Sequence, residues 1–169
     1  MVKLGSTALT LANAITLSRL LVVPVILALL TWENSGTTRW WGAALLGLAA
    51  ITDWLDGYVA RQWQQETELG KILDPLVDKL VVFAPLLILV EWGEIPAWAV
   101  YVILTREFLI TLWRAPKGTG ANIWGKVKTT SQIVAILLLL LNFPYAIAVF
   151  WLAVILTVIS GITYVFPVH

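Results

Sequence analysis

Six apolar segments, at residues 14–32, 40–61, 72–91, 96–114, 125–142 and 145–166, each approach the roughly 20 residues a helix needs to cross a bilayer. A soluble core does not bury six such runs in a chain of 169 residues. Only 12% of the residues are charged and the mean hydropathy is +0.88, against about 25% charged residues in ordinary soluble domains. Backbone N–H and C=O groups must be satisfied internally in hydrocarbon, so such runs default to helices. The expected fold is therefore an all-α integral membrane protein: one domain over 1–169, six transmembrane helices and a short N-terminal segment along the interface. Lys3, an apolar run and Ala12-Asn13-Ala14 resemble a signal peptide, but the small residues precede the long run, so the segment is read as retained. Pro24 and Pro85 fall inside spans and are candidate kinks. Asn142-Phe143-Pro144 marks the turn between the last two.

The charges orient the bundle. With six spans both termini share one side. That side holds Lys3, Arg19, Arg61, Lys71, Lys79, Arg106, Arg114, Lys117, Lys126 and Lys128; of the 11 basic residues only Arg39 falls opposite, with Glu33, Glu91 and Glu94. This asymmetry makes the basic side cytoplasmic, in the cell inner or plasma membrane. Trp32, Trp40, Trp41, Trp92 and Trp98 are placed at the outer interface, and Trp63, Trp113 and Trp124 at the inner one. The chain has no cysteine, and its single histidine is the terminal His169, which excludes disulfides and thiolate metal sites. No nucleic-acid partner is expected.

Against this background, residues 53–79, DWLDGYVARQWQQETELGKILDPLVDK, stand out. Asp53 and Asp56 are three apart near the inner end of the second span. Asp74 and Asp78 are four apart near the start of the third. Each spacing puts its pair on one helical face, and a hairpin can bring the two faces together. Four carboxylates at a bilayer boundary repel one another and are poorly hydrated, so they hold protons or bind a hard cation. Mg²⁺ fits, and less selectively Mn²⁺ or Ca²⁺, with Mn²⁺ the expected substitute, and four acids suffice for two ions of the kind that serve phosphoryl chemistry. Gly57 and Ala60 share the side of the first acid pair and let a ligand approach the backbone. Arg61 sits at the surface, where a guanidinium pairs with phosphate. Ionisable groups within a membrane also mark ion pathways, so a divalent-cation or proton-coupled transporter is the alternative of another class.

Written out, the pattern is Asp53-x2-Asp56-Gly57-x2-Ala60-Arg61-x8-Gly70-x3-Asp74-x3-Asp78. It resembles, without gap or substitution, the signature of the CDP-alcohol phosphotransferase family of membrane enzymes. That resemblance implies a six-helix homodimer with a polar cavity facing the cytoplasm. It implies transfer of a substituted phosphate from a CDP-linked donor to an alcohol, with release of CMP. It further implies that Asp53, Asp56, Asp74 and Asp78 bind two Mg²⁺ ions, with Asp78 also the general base. Asn13, Thr16, Gly57, Arg61 and Thr67 are implied contacts of the donor, CDP-diacylglycerol. Asn13 and Thr16 belong, with Arg19, to the family's Asn-x2-Thr-x2-Arg feature, although Asn13 is also a candidate helix cap.

Thr105-Arg106-Glu107-Phe108 and Gly125-Lys126-Val127-Lys128-Thr129 are similar to the phosphatidylglycerophosphate synthase branch of that family, whose acceptor is sn-glycerol 3-phosphate. Arg106, Lys126 and Lys128 are the implied contacts of the acceptor's phosphate. The alternative is the same chemistry on inositol phosphate or a phospholipid alcohol. Lys126 and Lys128 are two apart and diverge on a helix, so one is expected to face the cavity while the other reaches the interface. The connection from Arg114 to Asn122 is shorter than in many glycerophosphate-accepting relatives.

Overall fold

The computed structural model describes residues 11–63, 68–114 and 123–165, and the side chains of 20–52, 76–112 and 127–162. Within them every regular element is an α-helix: α1 (Leu11–Trp32), α2 (Gly36–Trp63), α3 (Glu68–Glu91), α4 (Ala97–Arg114), α5 (Ile123–Leu140) and α6 (Ala146–Val165). These match the six expected segments, and the backbone stays helical through Pro24 and Pro85. The anticipated interfacial segment lies outside the described residues. At 1.5 Å per residue, helices of 18 to 28 residues run about 27 to 42 Å. The stretches with described side chains are shorter than the whole helices. Within them no helix is long and apolar enough to cross a membrane.

Short connections force neighbouring helices antiparallel, and their contacts close a ring in the order α1, α3, α4, α6, α5, α2. The third helix also leans across the ring to touch α2 and α5. Its sequence explains that position. Residues 81–86, VVFAPL, are all buried, and a helix apolar on every side belongs in the interior. The same core cluster holds Ile26 and Leu30 of α1, Leu46 of α2, Ile103 of α4, Ile136 and Leu140 of α5, and Phe150 of α6. Gly42 lets α2 approach α1, because a Cβ there would stand 2.7 Å from Leu30 Cδ2.

The loops at one end are tightly specified. Ser35 caps α2 through a reciprocal pair, with Thr38 N donating to Ser35 Oγ (3.3 Å) and Ser35 N to Thr38 Oγ1 (3.1 Å). This is a capping box with threonine in the return position. The third and fifth helices both end in Schellman turns. In α3, Gly93 takes φ 73° and Glu94 N donates to Leu89 O (3.0 Å). In α5, Asn142 takes φ 51° and Phe143 N donates to Leu138 O (2.9 Å). Asparagine tolerates the left-handed region better than most side chains.

The two caps aim Glu94 and Asn142 at Arg39, which is only 7% exposed. Its Nε donates to Asn34 Oδ1 (2.7 Å), its Nη1 donates to Asn142 Oδ1 (3.0 Å), and its Nη2 pairs with Glu94. The guanidinium also lies 4.2 Å from the ring centre of Trp92, within cation–π range. One arginine thus ties together all three connections at this end.

Candidate active site

The opposite end carries the four aspartates of the signature. Because α2 runs into it and α3 leaves it, depth can be read from the backbone. Asp53 stands ten residues before the end of α2 and Asp78 ten residues after the start of α3, so both lie about 15 Å from that end. Asp56 and Asp74 are seven and six residues in, about 9–11 Å deep. The hairpin therefore brings the two acid pairs to matching levels on contacting helices.

Of the four acids, Asp78 has a described side chain. It is half-buried and engaged in a polar or electrostatic contact. The side chains of Asp53, Asp56 and Asp74 lie outside the described residues, as do those of Asn13, Thr16, Gly57, Arg61 and Lys126. Thr67 lies outside them altogether. Among the described residues no group of three or more metal-ligating side chains occurs. The donor set nevertheless suits a hard divalent cation, being four carboxylates with neither thiolate nor imidazole beside them.

The cations are better resolved. Arg106 stands eight residues before the end of α4 and Lys128 five residues into α5, about 12 and 8 Å deep. Lys128 is 4% exposed. Its Nζ donates to Glu107 Oε1. Arg106 Nη1 donates to the same oxygen (3.1 Å), while its Nη2 donates to Ser160 Oγ of α6 (2.7 Å). One turn deeper, Gln132 Nε2 donates to Thr157 Oγ1 (2.9 Å), which donates to Ala153 O (2.7 Å). That buried rung fixes α5 against α6.

Helices α4 and α5 both contact α3, and α5 also contacts α2. The cation pair lies at a similar depth to the acids on helices that contact the hairpin, and Lys79, next to Asp78, is near enough for its charge to act on Lys128. Glu107 and Ser160 had no assigned role in the sequence reading. The available signal was Glu107 itself, an acid inside an apolar segment.

The sequence is similar to known proteins over most of its length. The model of the CDP-alcohol phosphatidyltransferase family matches residues 9–159. The chain is 43% identical to CDP-diacylglycerol–glycerol-3-phosphate 3-phosphatidyltransferase of Bacillus subtilis, over 91% of this chain and 92% of that one. It is 35% identical to the protein of the same name from Rickettsia bellii, over 91% and 92%. It is also 38% identical to a probable phosphatidylglycerophosphate synthase of Mycobacterium tuberculosis, over 92% and 79%.

Proposed function

The chain belongs to the CDP-alcohol phosphatidyltransferase family, and on that premise we propose that it transfers the phosphatidyl group of CDP-diacylglycerol to sn-glycerol 3-phosphate. The products are phosphatidylglycerophosphate and CMP. The observation that carries this reading is the 43% identity, over 91% of the chain, to an enzyme named for that reaction. A buried lysine and a half-buried arginine, Lys128 and Arg106, supply what a phosphorylated acceptor requires and a neutral alcohol does not.

In this reading Asp78 takes the proton of the acceptor hydroxyl, whose oxygen forms a new bond to the β-phosphorus of the donor. The bond from that phosphorus to the bridging oxygen breaks, and CMP leaves with the electron pair. Asp53, Asp56, Asp74 and Asp78 would hold Mg²⁺, or Mn²⁺ in its place. When bound, the metal supplies charge neutralisation at the diphosphate and at the departing phosphate. Asn13, Thr16, Gly57, Arg61 and Thr67 orient the donor. Arg106, Lys126 and Lys128 orient the acceptor through its phosphate.

The chain is placed in the membrane, with six spans and the acid end facing the cytoplasm. Supporting this, large apolar side chains such as Leu21, Leu48, Leu87, Leu109, Leu152 and Ile162 are exposed around the bundle, a surface that water disfavours and lipid does not. Trp32, Trp40, Trp41 and Trp98 are exposed toward the end opposite the acids, where an aromatic belt belongs. A homodimer follows from the family resemblance.

The test is CMP release by the purified protein in lipid nanodiscs. Release is expected to require CDP-diacylglycerol, sn-glycerol 3-phosphate and Mg²⁺, to stop with chelator and to return with Mn²⁺. CMP release without glycerol 3-phosphate would move the assignment to another alcohol. Cation flux into proteoliposomes lacking CDP-lipid would move it to a transporter.

A further inference from the structure

We propose that Glu107 and Ser160 are positioning residues, holding Arg106 and Lys128 as one preformed receptor for the acceptor's phosphate. This rests on the acceptor assignment above and extends it to two residues outside the signature.

Among the described residues no Cα of α4 comes within 8 Å of a Cα of α5. The two helices are joined across that gap by long side chains, Lys128 from one and Glu107 from the other. A lysine and an arginine brought together without an anion would repel each other, and both would be poorly hydrated. Glu107 resolves this by offering one oxygen, Oε1, to both. Two donors bonded to a single oxygen stand at the spacing two oxygens of one phosphate can bridge. The carboxylate thus sets the distance between the cations before any phosphate arrives, which lowers the ordering cost of binding.

The far side of the receptor is built by α6. Ser160 is buried and accepts from Arg106 Nη2 at 2.7 Å, fixing the plane of the guanidinium. Gly161 provides the bed for the arginine stem, since a Cβ there would lie 3.2 Å from Arg106 Cγ.

The experiment measures CMP release at varied glycerol 3-phosphate with saturating CDP-diacylglycerol, and the converse, for the wild type, Arg106→Ala, Glu107→Gln and Ser160→Ala. Glu107→Gln keeps an oxygen but loses its charge, and is expected to raise the KM for glycerol 3-phosphate about tenfold. Ser160→Ala is expected to raise it roughly threefold. In both, the KM for CDP-diacylglycerol should stay within about twofold, the split that marks an acceptor-specific contact. Because Glu107→Gln removes the counter-charge of a buried lysine and can fail to fold, Ser160→Ala decides the matter alone in that event. The proposal is overturned if the acceptor KM is unchanged in every folded variant, or if both KM values and the melting temperature move together. If Arg106→Ala also leaves the acceptor KM unchanged, the acceptor site itself is misassigned. If Arg106→Ala raises it and the other two do not, only the positioning role falls.

Discussion

Each end of the bundle draws an arginine inward, Arg39 fully buried and Arg106 half-buried, and the two are treated differently. At one end Arg39 meets one carboxylate, two amide oxygens and an aromatic face. Its partners come from three loops and leave no evident use for a ligand. At the other end Arg106 and Lys128 share a single carboxylate oxygen. There the partners come from within helices, and one carboxylate oxygen joins two cations. The first arrangement closes a structure, because an arginine whose charge is matched and stacked is a tie. The second keeps positive charge where a phosphate can reach it. An inward arginine alone therefore says little about function; the kind of element presenting its partners says more.

Changes at the catalytic end should alter kinetics, and changes at the far end should alter stability. The largest effect is expected for Asp78→Asn, which removes the base and should cut turnover by roughly 10²–10⁴-fold. Expression and melting temperature in detergent should stay near those of the wild type. Normal turnover would remove Asp78 from that role. Next comes Arg39→Ala, which strands Glu94 and two amide oxygens at the loop end. It should cost about 2–4 kcal/mol, below the full penalty for a broken buried pair because Glu94 is partly hydrated. Both KM values should hold in the fraction that folds. A selective rise in the acceptor KM would erase the distinction between the ends.

The smaller catalytic-end change, Arg106→Ala, should raise the acceptor KM by about 10- to 100-fold while the donor KM stays put, as read from initial rates of CMP release. An unchanged acceptor dependence would make Arg106 a second structural tie, like Arg39.

How much of this the residues disclose in advance depends on the range of the interaction. Helices are legible because backbone satisfaction and apolar run length are local, and the ends fell within a few residues of the apolar limits, as with α4 at Ala97–Arg114. The acid pairs are legible because spacings of three and four are also local. The Arg39 tie was not: its partners Asn34, Glu94 and Asn142 sit on three connections, and Asn142 is 103 residues away. Charge counting marked Arg39 only as the one basic residue on the outer side. The same holds for Ser160, which meets Arg106 across 54 residues and lies in an apolar helix where a serine attracts no notice. For Lys126 and Lys128 the spacing required divergence without saying where either goes; the structure shows Lys128 buried.

The smallest expected effect distinguishes packing within the chain from packing against something else. Gly42 and Gly47 lie on α2, five residues apart. A Cβ at Gly42 would meet three atoms of Leu30, at 2.7, 3.1 and 3.3 Å, whereas one at Gly47 meets nothing within 4 Å. Leu30 is fully buried in the core, so it cannot turn aside without displacing its neighbours. Gly42→Ala should therefore lose roughly 1–3 kcal/mol to overpacking and regain up to about 1 kcal/mol from helix propensity, for a net loss of about 1 kcal/mol. Gly47→Ala collects the propensity term alone and should be neutral or slightly stabilising, by at most about 1 kcal/mol. Paired melting curves in the same detergent would read the difference. Destabilisation by Gly47→Ala matching that at Gly42 would mean that α2 packs there against a neighbour from outside the chain's own fold. That result would locate a surface for the proposed second copy on the same helix that carries Asp53 and Asp56.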